Sequence, residues 1–286
     1  MIKIALKNIR FLEKISKIPV LKYFFVLKIS ENFPQINSEP VLEKFYTDIY
    51  VNNKTSKRTF KNRFDNLNII SFDYLKNQKN TVIHDVAVSS GISSYEFFDF
   101  LKSKNINPVF YASDKYAEIF VKKGFVTKIY DVEKNLMFAY AGNFFAVDKN
   151  IFFPLTVLLF KMLKKSKMPA KFNYKLLLLH PEMLKKINKN EINFINYDIF
   201  NTEINDKFTF VRVMNILNLG YFDEQKINTA LENIKKSMKE NAILLVGRTN
   251  SDGINNAGFY LKRNDKLIHL RDVNNGSEIK QLIKNL

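Results

Sequence analysis

The 286-residue chain contains no cysteine and only three histidines. Without cysteine it cannot form disulfide bonds, thiolate zinc sites or iron–sulfur clusters, and it cannot use thiol catalysis. The histidines His84, His180 and His269 are scattered along the sequence and leave little for a metal site. We therefore expect no bound metal.

Long apolar runs are also missing. The most apolar stretch extends from Leu136 to Phe160, but Asp148, Lys149 and Pro154 interrupt it before the ~18 uninterrupted apolar residues that a membrane-spanning helix needs. Lysines likewise break up the apolar residues of the amino terminus, so no cleaved targeting signal is evident. We expect a cytoplasmic protein, with peripheral attachment to the inner membrane face as an alternative.

Acidic side chains are fewer than basic ones. The chain has 45 Lys and Arg against 28 Asp and Glu, a net charge of +17, in an otherwise globular composition of 46% hydrophobic and 26% charged residues. The excess would attract nucleic acid, anionic lipid or another acidic partner, although an AT-rich genome that favours lysine codons would also produce it. The positive charge is most concentrated over residues 161–189, which contain nine lysines and a single acidic residue, Glu182. We expect an anionic membrane surface or other acidic partner to bind there.

The first 80 residues differ from the rest of the chain. Apolar residues recur at spacings of three and four, which predicts amphipathic helices, at Ile2, Leu6, Ile9, Leu12 and Ile15. We therefore predict a basic, helical amino-terminal extension over residues 1–80.

From residue 81 the pattern becomes that of alternating strands and helices. A strand TVIHDVAV, a helix YEFFDFLKSK, a strand VFYAS and a helix KYAEIFVKK follow one another, which is typical of a parallel sheet covered by helices. Residues 125–190 interrupt this order with a predicted β-meander and two helices. It resumes with the strands INFINYD, FTFVRVM and AILLVG and ends in a hairpin around Asn264 and Asp265.

The first strand leads into a turn of small residues. Asp85 lies near the end of the strand, and Ala87, Ser89, Ser90 and Gly91 follow it. Such a turn lies at the carboxyl edge of the sheet, where open α/β folds bind ligands, and small residues let the backbone approach a ligand at a helix amino terminus. The turn lacks the glycines of a tight dinucleotide cradle and the lysine of a phosphate-binding loop. An ordinary strand-to-helix turn is the alternative.

The spacing of Asp85, Ala87, Ser89 and Gly91 resembles motif I of class I S-adenosylmethionine-dependent methyltransferases, in which an acid precedes Gly-x-Gly-x-Gly. Two of those glycines are Ala87 and Ser89 here. Asp114, 23 residues beyond Gly91, is similar in position to the family's ribose-binding acid. The segment RVMNILNLGYFD, from Arg212, looks most like the chemotaxis-receptor methyltransferases. The resemblance covers residues 81–135 and 191–275.

The resemblance implies a Rossmann-like α/β fold with a seven-stranded, mostly parallel sheet and a carboxyl-terminal antiparallel hairpin. The methyltransferase domain would span residues 81–286, with an inserted cap at about 125–190. S-adenosyl-L-methionine would be the cofactor, and a small molecule, a lipid or a protein carboxylate the acceptor. No residue stands out as a general base.

The resemblance also implies roles for individual residues. Asp114 would hold the ribose and Asp198, with its neighbour Ile199, the adenine side. The methionine moiety would be held by Asp85, Ala87, Ser89, Ser90 and Gly91. Asn215 would frame the methyl donor, Arg212 would hold a carboxylate of cofactor or substrate, and Tyr221 would line the acceptor pocket.

Each of these residues also has a structural alternative. The aspartates are equally typical of helix caps, Asn215 of a loop cap, Arg212 of a solvated strand end and Tyr221 of packing. His84 follows apolar residues on its strand, which predicts a satisfied core histidine.

Two larger alternatives remain open at this level. The inserted cap is a lid over an acceptor pocket, an interfacial helix on anionic membrane, or another packed layer. The whole protein is either an enzyme or a non-catalytic Rossmann-like module that binds nucleic acid or anionic membrane through its basic surfaces.

Overall fold

The computed structural model describes residues 3–29, 31, 33–49, 60–147, 158, 162, 163 and 169–286. The chain forms two compact units. Unit 1 comprises residues 1–60 and 116–185, and unit 2 comprises residues 61–115 and 186–286. The strands of each unit form a separate seven-stranded sheet within the described residues.

The helices and strands are numbered in chain order. They are β1 (Lys3–Leu6), α1 (Ile9–Ser16), β2 (Phe25–Leu27), α2 (Glu39–Asp48), α3 (Asp65–Leu75), β3 (Val82–Val86), α4 (Ile92–Ser103), β4 (Val109–Ser113), β5 (Glu118–Lys122), β6 (Val126–Tyr130), β7 (Leu136–Ala141), β8 (Phe144–Val147), β9 (Tyr174–Leu177), α5 (Pro181–Asn188), β10 (Ile192–Ile195), β11 (Phe208–Met214), α6 (Glu224–Ser237), β12 (Met238–Thr249), β13 (Asn255–Arg263), β14 (Lys266–Val273) and α7 (Lys280–Lys284).

The sheet of unit 2 has the strand order β10-β4-β3-β11-β12-β13-β14. The first five strands are parallel, and β13 and β14 are antiparallel to their preceding neighbours. The central strand β11 is buried at almost every position, as expected of a parallel strand covered on both faces. The predicted mixed α/β fold with a mainly parallel sheet is confirmed.

Helix α6 shows how the local sequence produces the packing of unit 2. Asp223 is its amino-terminal cap and accepts a hydrogen bond from the backbone N–H of Lys226 at 2.8 Å. The inward face of the helix, at spacings of three and four, then packs on the sheet in the unit 2 core through Ile227, Ala230, Leu231 and Ile234. Each large apolar side chain buried there contributes about 1.5–3 kcal/mol.

Unit 1 combines the amino-terminal segment with the segment inserted after β4. Its strand order is β2-β1-β8-β7-β6-β5-β9, and β1 pairs with β8 through Ile4 and Phe144. The strands β6, β7 and β8 form the predicted antiparallel meander. Helix α2 packs into the core of this unit through Leu42 and Phe45.

The structure divides the chain differently from the predicted domains. Residues 1–60 do not form a separate helical extension, because their strands β1 and β2 join the sheet of unit 1. Helix α3, predicted as part of the extension, belongs to unit 2. Strands of three or four residues are too short for their alternation to stand out beside a helical periodicity.

The predicted helix KYAEIFVKK is wrong. Residues Glu118–Lys122 form β5, in which Ile119 and Val121 point inward and their neighbours are more exposed. The alternation of two β-branched residues is the pattern of a half-buried strand. The inserted part of unit 1 therefore begins at residue 116, before the predicted start at 125.

The predicted helix over residues 150–167 lies mostly outside the described residues, so the three interpretations of the cap remain predictions. Part of the lysine-rich segment 161–189 is likewise outside them. Among the helices that the structure describes, none is both long and apolar enough to cross a membrane.

Candidate functional site

The turn after β3 has an unusual backbone. Ala87, Ser89 and Gly91 adopt left-handed conformations with φ values of 58°, 60° and 80°. Glycine adopts this conformation without steric strain, whereas for any other residue the conformation costs about 1–2 kcal/mol of free energy. The alternate positions that would be glycine in motif I thus keep a glycine-like backbone although two of them carry side chains.

The turn is held between two strands and a helix. Gly91 is the amino-terminal cap residue of α4, and its carbonyl accepts a hydrogen bond from the N–H of Tyr95 at 3.1 Å. The N–H of Val88 donates to the carbonyl of Ser113, the last residue of β4, at 3.0 Å. The small residues therefore lie at the carboxyl edge of the sheet and at a helix amino terminus, as predicted.

Asp114 lies beside this turn. It follows β4 directly, and its Oδ2 accepts a hydrogen bond from the backbone N–H of Ser89 at 2.8 Å. The side chain is half-buried. The contact joins two segments that the sequence analysis places at one site, Asp114 and the motif I turn.

Asp198 follows the neighbouring strand β10. Its Oδ2 lies 3.0 Å from Nζ of Lys115 and 2.9 Å from Nδ2 of Asn201, while Oδ1 accepts from the N–H of Phe200 at 3.0 Å. Burial alone raises the pKa of Asp198, but the two hydrogen bonds and the Lys115 ammonium outweigh it and hold the pKa below its ordinary value. Asp198 therefore stays ionised near neutral pH.

Asp85 and Arg212 form a buried ion pair. Their Cα atoms are partners across β3 and β11. Nε of Arg212 is 2.9 Å from Oδ1 of Asp85, and Nη2 is 2.5 Å from Oδ2. The Arg212 side chain is only 1% exposed. The predicted contact of Arg212 with a carboxylate of cofactor or substrate is therefore wrong, and so is the alternative of a solvated strand end, because its guanidinium is bound inside unit 2.

Other groups complete the surroundings of this pair. Nη1 of Arg212 donates to Oδ1 of Asn68 at 3.0 Å, and Nη2 donates to the carbonyl of Ser93 at 2.9 Å. The hydroxyl of Ser94 donates to Oδ2 of Asp85 at 2.6 Å. The predicted direct contact of Asp85 with the cofactor gives way to a structural role, since its two oxygens are occupied by Arg212 and Ser94.

Three residues of the site were not predicted from the sequence, namely Asn68, Ser94 and Lys115. Asn68 lies on α3, in a segment assigned to the extension, and no sequence signal connects it with the sheet. Ser94 stands in the serine-rich start of α4, and Lys115 directly follows Asp114. Their position next to motif residues is the signal that would have identified these two.

Asn215 connects the ends of β11 and β12. Its Oδ1 accepts a hydrogen bond from the N–H of Thr249 at 2.7 Å, and its backbone has a φ of 61°. The Thr249 hydroxyl donates to Oδ1 of Asn255 at 2.8 Å and accepts from Nε of Arg63 at 3.1 Å. These contacts are those of a loop-capping amide, and a role beside the methyl donor stays a prediction.

The remaining predicted residues are placed differently. Ile199 is 6% exposed and packs in the unit 2 core, and its place on the adenine side stays a prediction. Tyr221, just before α6, is 58% exposed. It is therefore not a packing residue, and its place in an acceptor pocket stays a prediction. Ala87 is half-buried, and Ser90 is buried within the turn.

His84 is the satisfied core histidine that the sequence predicts. Its Nε2 is 2.8 Å from the hydroxyl of Ser113, and its ring packs against Tyr197 and Phe208. Burial, with a smaller contribution from Lys207, lowers the pKa of His84 to about 3. The histidine is neutral at physiological pH. Within the described residues no group of three or more potential ligands is placed to hold a metal ion.

No family model and no curated protein matches the chain. Solved structures do. A 1,6-didemethyltoxoflavin-N1-methyltransferase of Burkholderia thailandensis, with bound 1,6-didemethyltoxoflavin and S-adenosylhomocysteine, is 10% identical over 79% of this chain and 67% of its own, with a TM-score of 0.38. A protein from Pyrococcus horikoshii is 11% identical over 85% and 88%, with a TM-score of 0.39. A SAM-dependent methyltransferase of Methanosarcina mazei is 13% identical over 62% and 56%, with a TM-score of 0.31.

Proposed function

We propose that unit 2 binds S-adenosylmethionine and transfers its methyl group to an acceptor. The observation that carries the proposal is the left-handed backbone at Ala87, Ser89 and Gly91, at the end of β3, together with an acid after each of the next two strands, Asp114 and Asp198. Strained residues persist where the surrounding structure needs their conformation, and they cluster at ligand sites.

The chemistry of the site suits the parts of this cofactor. Carboxylates accept hydrogen bonds from ribose hydroxyls, and Asp114 lies at the turn where the ribose would be. The amino terminus of α4 and the adjoining backbone N–H groups favour the methionine carboxylate. Asp198, with Lys115 and Asn201, would line the adenine side.

The buried pair of Asp85 and Arg212 holds together the strands that position the cofactor-binding turn. Asp85 and Arg212 tie β3 to β11, and Ser94 ties α4 to Asp85. They would act as positioning residues that maintain the shape of the turn, and they would not contact the cofactor. Asn215 would support the opposite side of the site by holding the ends of β11 and β12 together.

The cofactor itself supplies an electrophilic methyl group on its sulfonium. The protein then has to position both reactants, exclude water and orient the acceptor for in-line attack. Ionised Asp198 and the Asp114 carboxylate would hold the nucleoside part, which fixes the direction in which the methyl group points.

The similar structures do not support the chemotaxis-receptor subtype, so we propose the class of reaction without that subtype. The non-catalytic binding module is not favoured, because a basic surface would not require a strained turn flanked by acids.

Titration calorimetry of the full chain with S-adenosylmethionine and S-adenosylhomocysteine tests the proposal. We expect both to bind, and Asp114→Ala to weaken both by at least about tenfold, the loss of roughly 1.4 kcal/mol expected for hydrogen bonds to a charged group. Asp73→Ala removes an exposed acid of α3 that pairs only with Lys76 among the described residues, and it should leave both affinities unchanged. Absence of binding to the folded wild-type protein would refute the assignment.

A further inference from the structure

An exposed apolar surface lies at the start of unit 1. Between residues 11 and 24 six large apolar side chains are exposed, of which Val20 is the most exposed at 68%. We name it the 11–24 patch, and its members are Phe11, Ile18, Val20, Leu21, Tyr23 and Phe24. Clustered exposed apolar side chains of this kind mark interaction surfaces, whereas single ones need no explanation.

The patch is continuous because α1 and the following turn lie together. Helix α1 buries Leu12 and Ile15 on its inner side and exposes Phe11, and the exposed Ile18 follows two residues after the helix ends. Residues Leu21–Tyr23 then form a single 3₁₀ turn that leads into β2. The ring of Phe11 packs edge-on against Phe25, with centroids 6.0 Å apart, and this contact brings the helix beside the end of the turn.

Positive charge surrounds these apolar side chains. Lys7, Arg10, Lys14 and Lys17 are all exposed, and among the described residues none of the four has a carboxylate partner. Glu13 is the single acid in the first 30 residues of the sequence. The patch therefore combines exposed apolar side chains with exposed cations on α1 and on the residues that flank it.

We propose that the 11–24 patch docks unit 1 on an anionic lipid surface. Apolar side chains would enter the headgroup region while the four cations meet lipid phosphates and carboxylates, which is the combination that interfacial segments use. The aliphatic side chains of Ile18, Val20 and Leu21 favour lipid over nucleic acid, because single-stranded nucleic acid is bound through aromatic and arginine stacking.

This surface consists of other residues than the lysine-rich segment 161–189 considered above. The proposal also does not depend on the methyltransferase assignment, because it rests on residues of unit 1 alone. The 11–24 patch would attach the protein to the lipid surface, and the test of this attachment needs no cofactor.

Flotation of the full chain with vesicles measures the docking directly. We expect the wild-type protein to float with vesicles of phosphatidylcholine mixed with phosphatidylglycerol, and to stay unbound with vesicles of phosphatidylcholine alone. Lys14→Glu and Lys17→Glu should each lower the partition coefficient at least about fivefold, as expected for one cation near an anionic surface. Val20→Asp and Leu21→Asp should lower it to a similar or greater extent.

Matched variants elsewhere control for charge and folding. Ile69→Asp changes a comparably exposed apolar side chain of α3, and Lys266→Glu reverses the charge of an exposed lysine at the start of β14. Both should float like the wild type, and all variants should keep the wild-type circular dichroism and melting temperature.

Three results would overturn the proposal. The first is failure of the folded wild-type chain to bind the anionic vesicles. The second is an equal decrease of the partition coefficient in the patch variants and in the control variants. The third comes from sedimentation velocity without lipid. If the wild type is a dimer that Val20→Asp and Leu21→Asp convert to a monomer, the patch belongs to an interface with a second copy of the chain.

Discussion

The guanidinium of Arg212 is bound to the carboxylate of Asp85 within the core of unit 2, through Nε–Oδ1 and Nη2–Oδ2 distances of 2.9 and 2.5 Å. The two residues are direct partners on adjacent parallel strands. A buried ion pair adds little net stability, because both charges lose their hydration, but removal of one member leaves the other charge uncompensated. The pair thus constrains the register of β3 against β11 and with it the position of the turn that follows β3.

The first prediction concerns this pair. Arg212→Met should lower the free energy of unfolding by about 3–5 kcal/mol, because Asp85 remains buried without its charge partner. The double variant Arg212→Met/Asp85→Asn should be less destabilised than the sum of the two single variants. Urea unfolding measures all three, and additive effects would show that the two side chains do not depend on one another.

The second prediction concerns the strained turn. Ala87→Gly and Ser89→Gly should each raise the free energy of unfolding by up to about 1 kcal/mol, because glycine adopts a positive φ without the steric cost that alanine and serine carry. Ala230→Gly, within α6, is the matched control and should destabilise by at least about 1 kcal/mol. Equal destabilisation by Ala87→Gly and Ala230→Gly in thermal or urea unfolding would contradict the strained conformation.

The third prediction concerns the buried histidine. The pKa of His84 is about 3 in the folded protein and about 6.5 in an unfolded chain, so the unfolded state binds more protons between these values. Below pH 6.5 this difference should remove about 1.4 kcal/mol of stability per pH unit until the folded pKa is reached.

The variant His84→Gln isolates this contribution, since glutamine keeps a polar group near Ser113 and does not titrate. Between pH 6 and 4 the unfolding free energy of the wild type should fall more steeply than that of the variant. Parallel pH profiles in urea unfolding would show that His84 is not the neutral core residue described here.

The strands of unit 2 are largely predictable from the sequence. β11 is apolar at five of its seven positions, β12 contains the apolar run Ala242–Val246, and β3 and β4 are followed by a small residue or an aspartate that marks a turn. The cap of α6 at Asp223 is equally local, because it needs only a carboxylate three residues before Lys226. The proximity of Asp114 to the motif I turn also follows, because parallel strands end at the same edge of a sheet.

The Asp85–Arg212 pair is not predictable in this way. The two residues are separated by 127 positions, and a charged side chain near a strand end indicates exposure when it is considered alone. The packing of Ile199 in the unit 2 core is likewise not evident from its place beside Asp198.

The sequence by itself determined the local elements of unit 2, the small-residue turn and the acids that follow its strands, because apolar periodicity and turn chemistry act over a few residues. The tertiary structure alone decided that β1 and β2 join β5–β9 in one sheet, that Arg212 is buried, and that Ala87 and Ser89 take a glycine-like backbone. Those outcomes depend on contacts between segments far apart in the chain, whose free energies arise only when strands pair and side chains pack together.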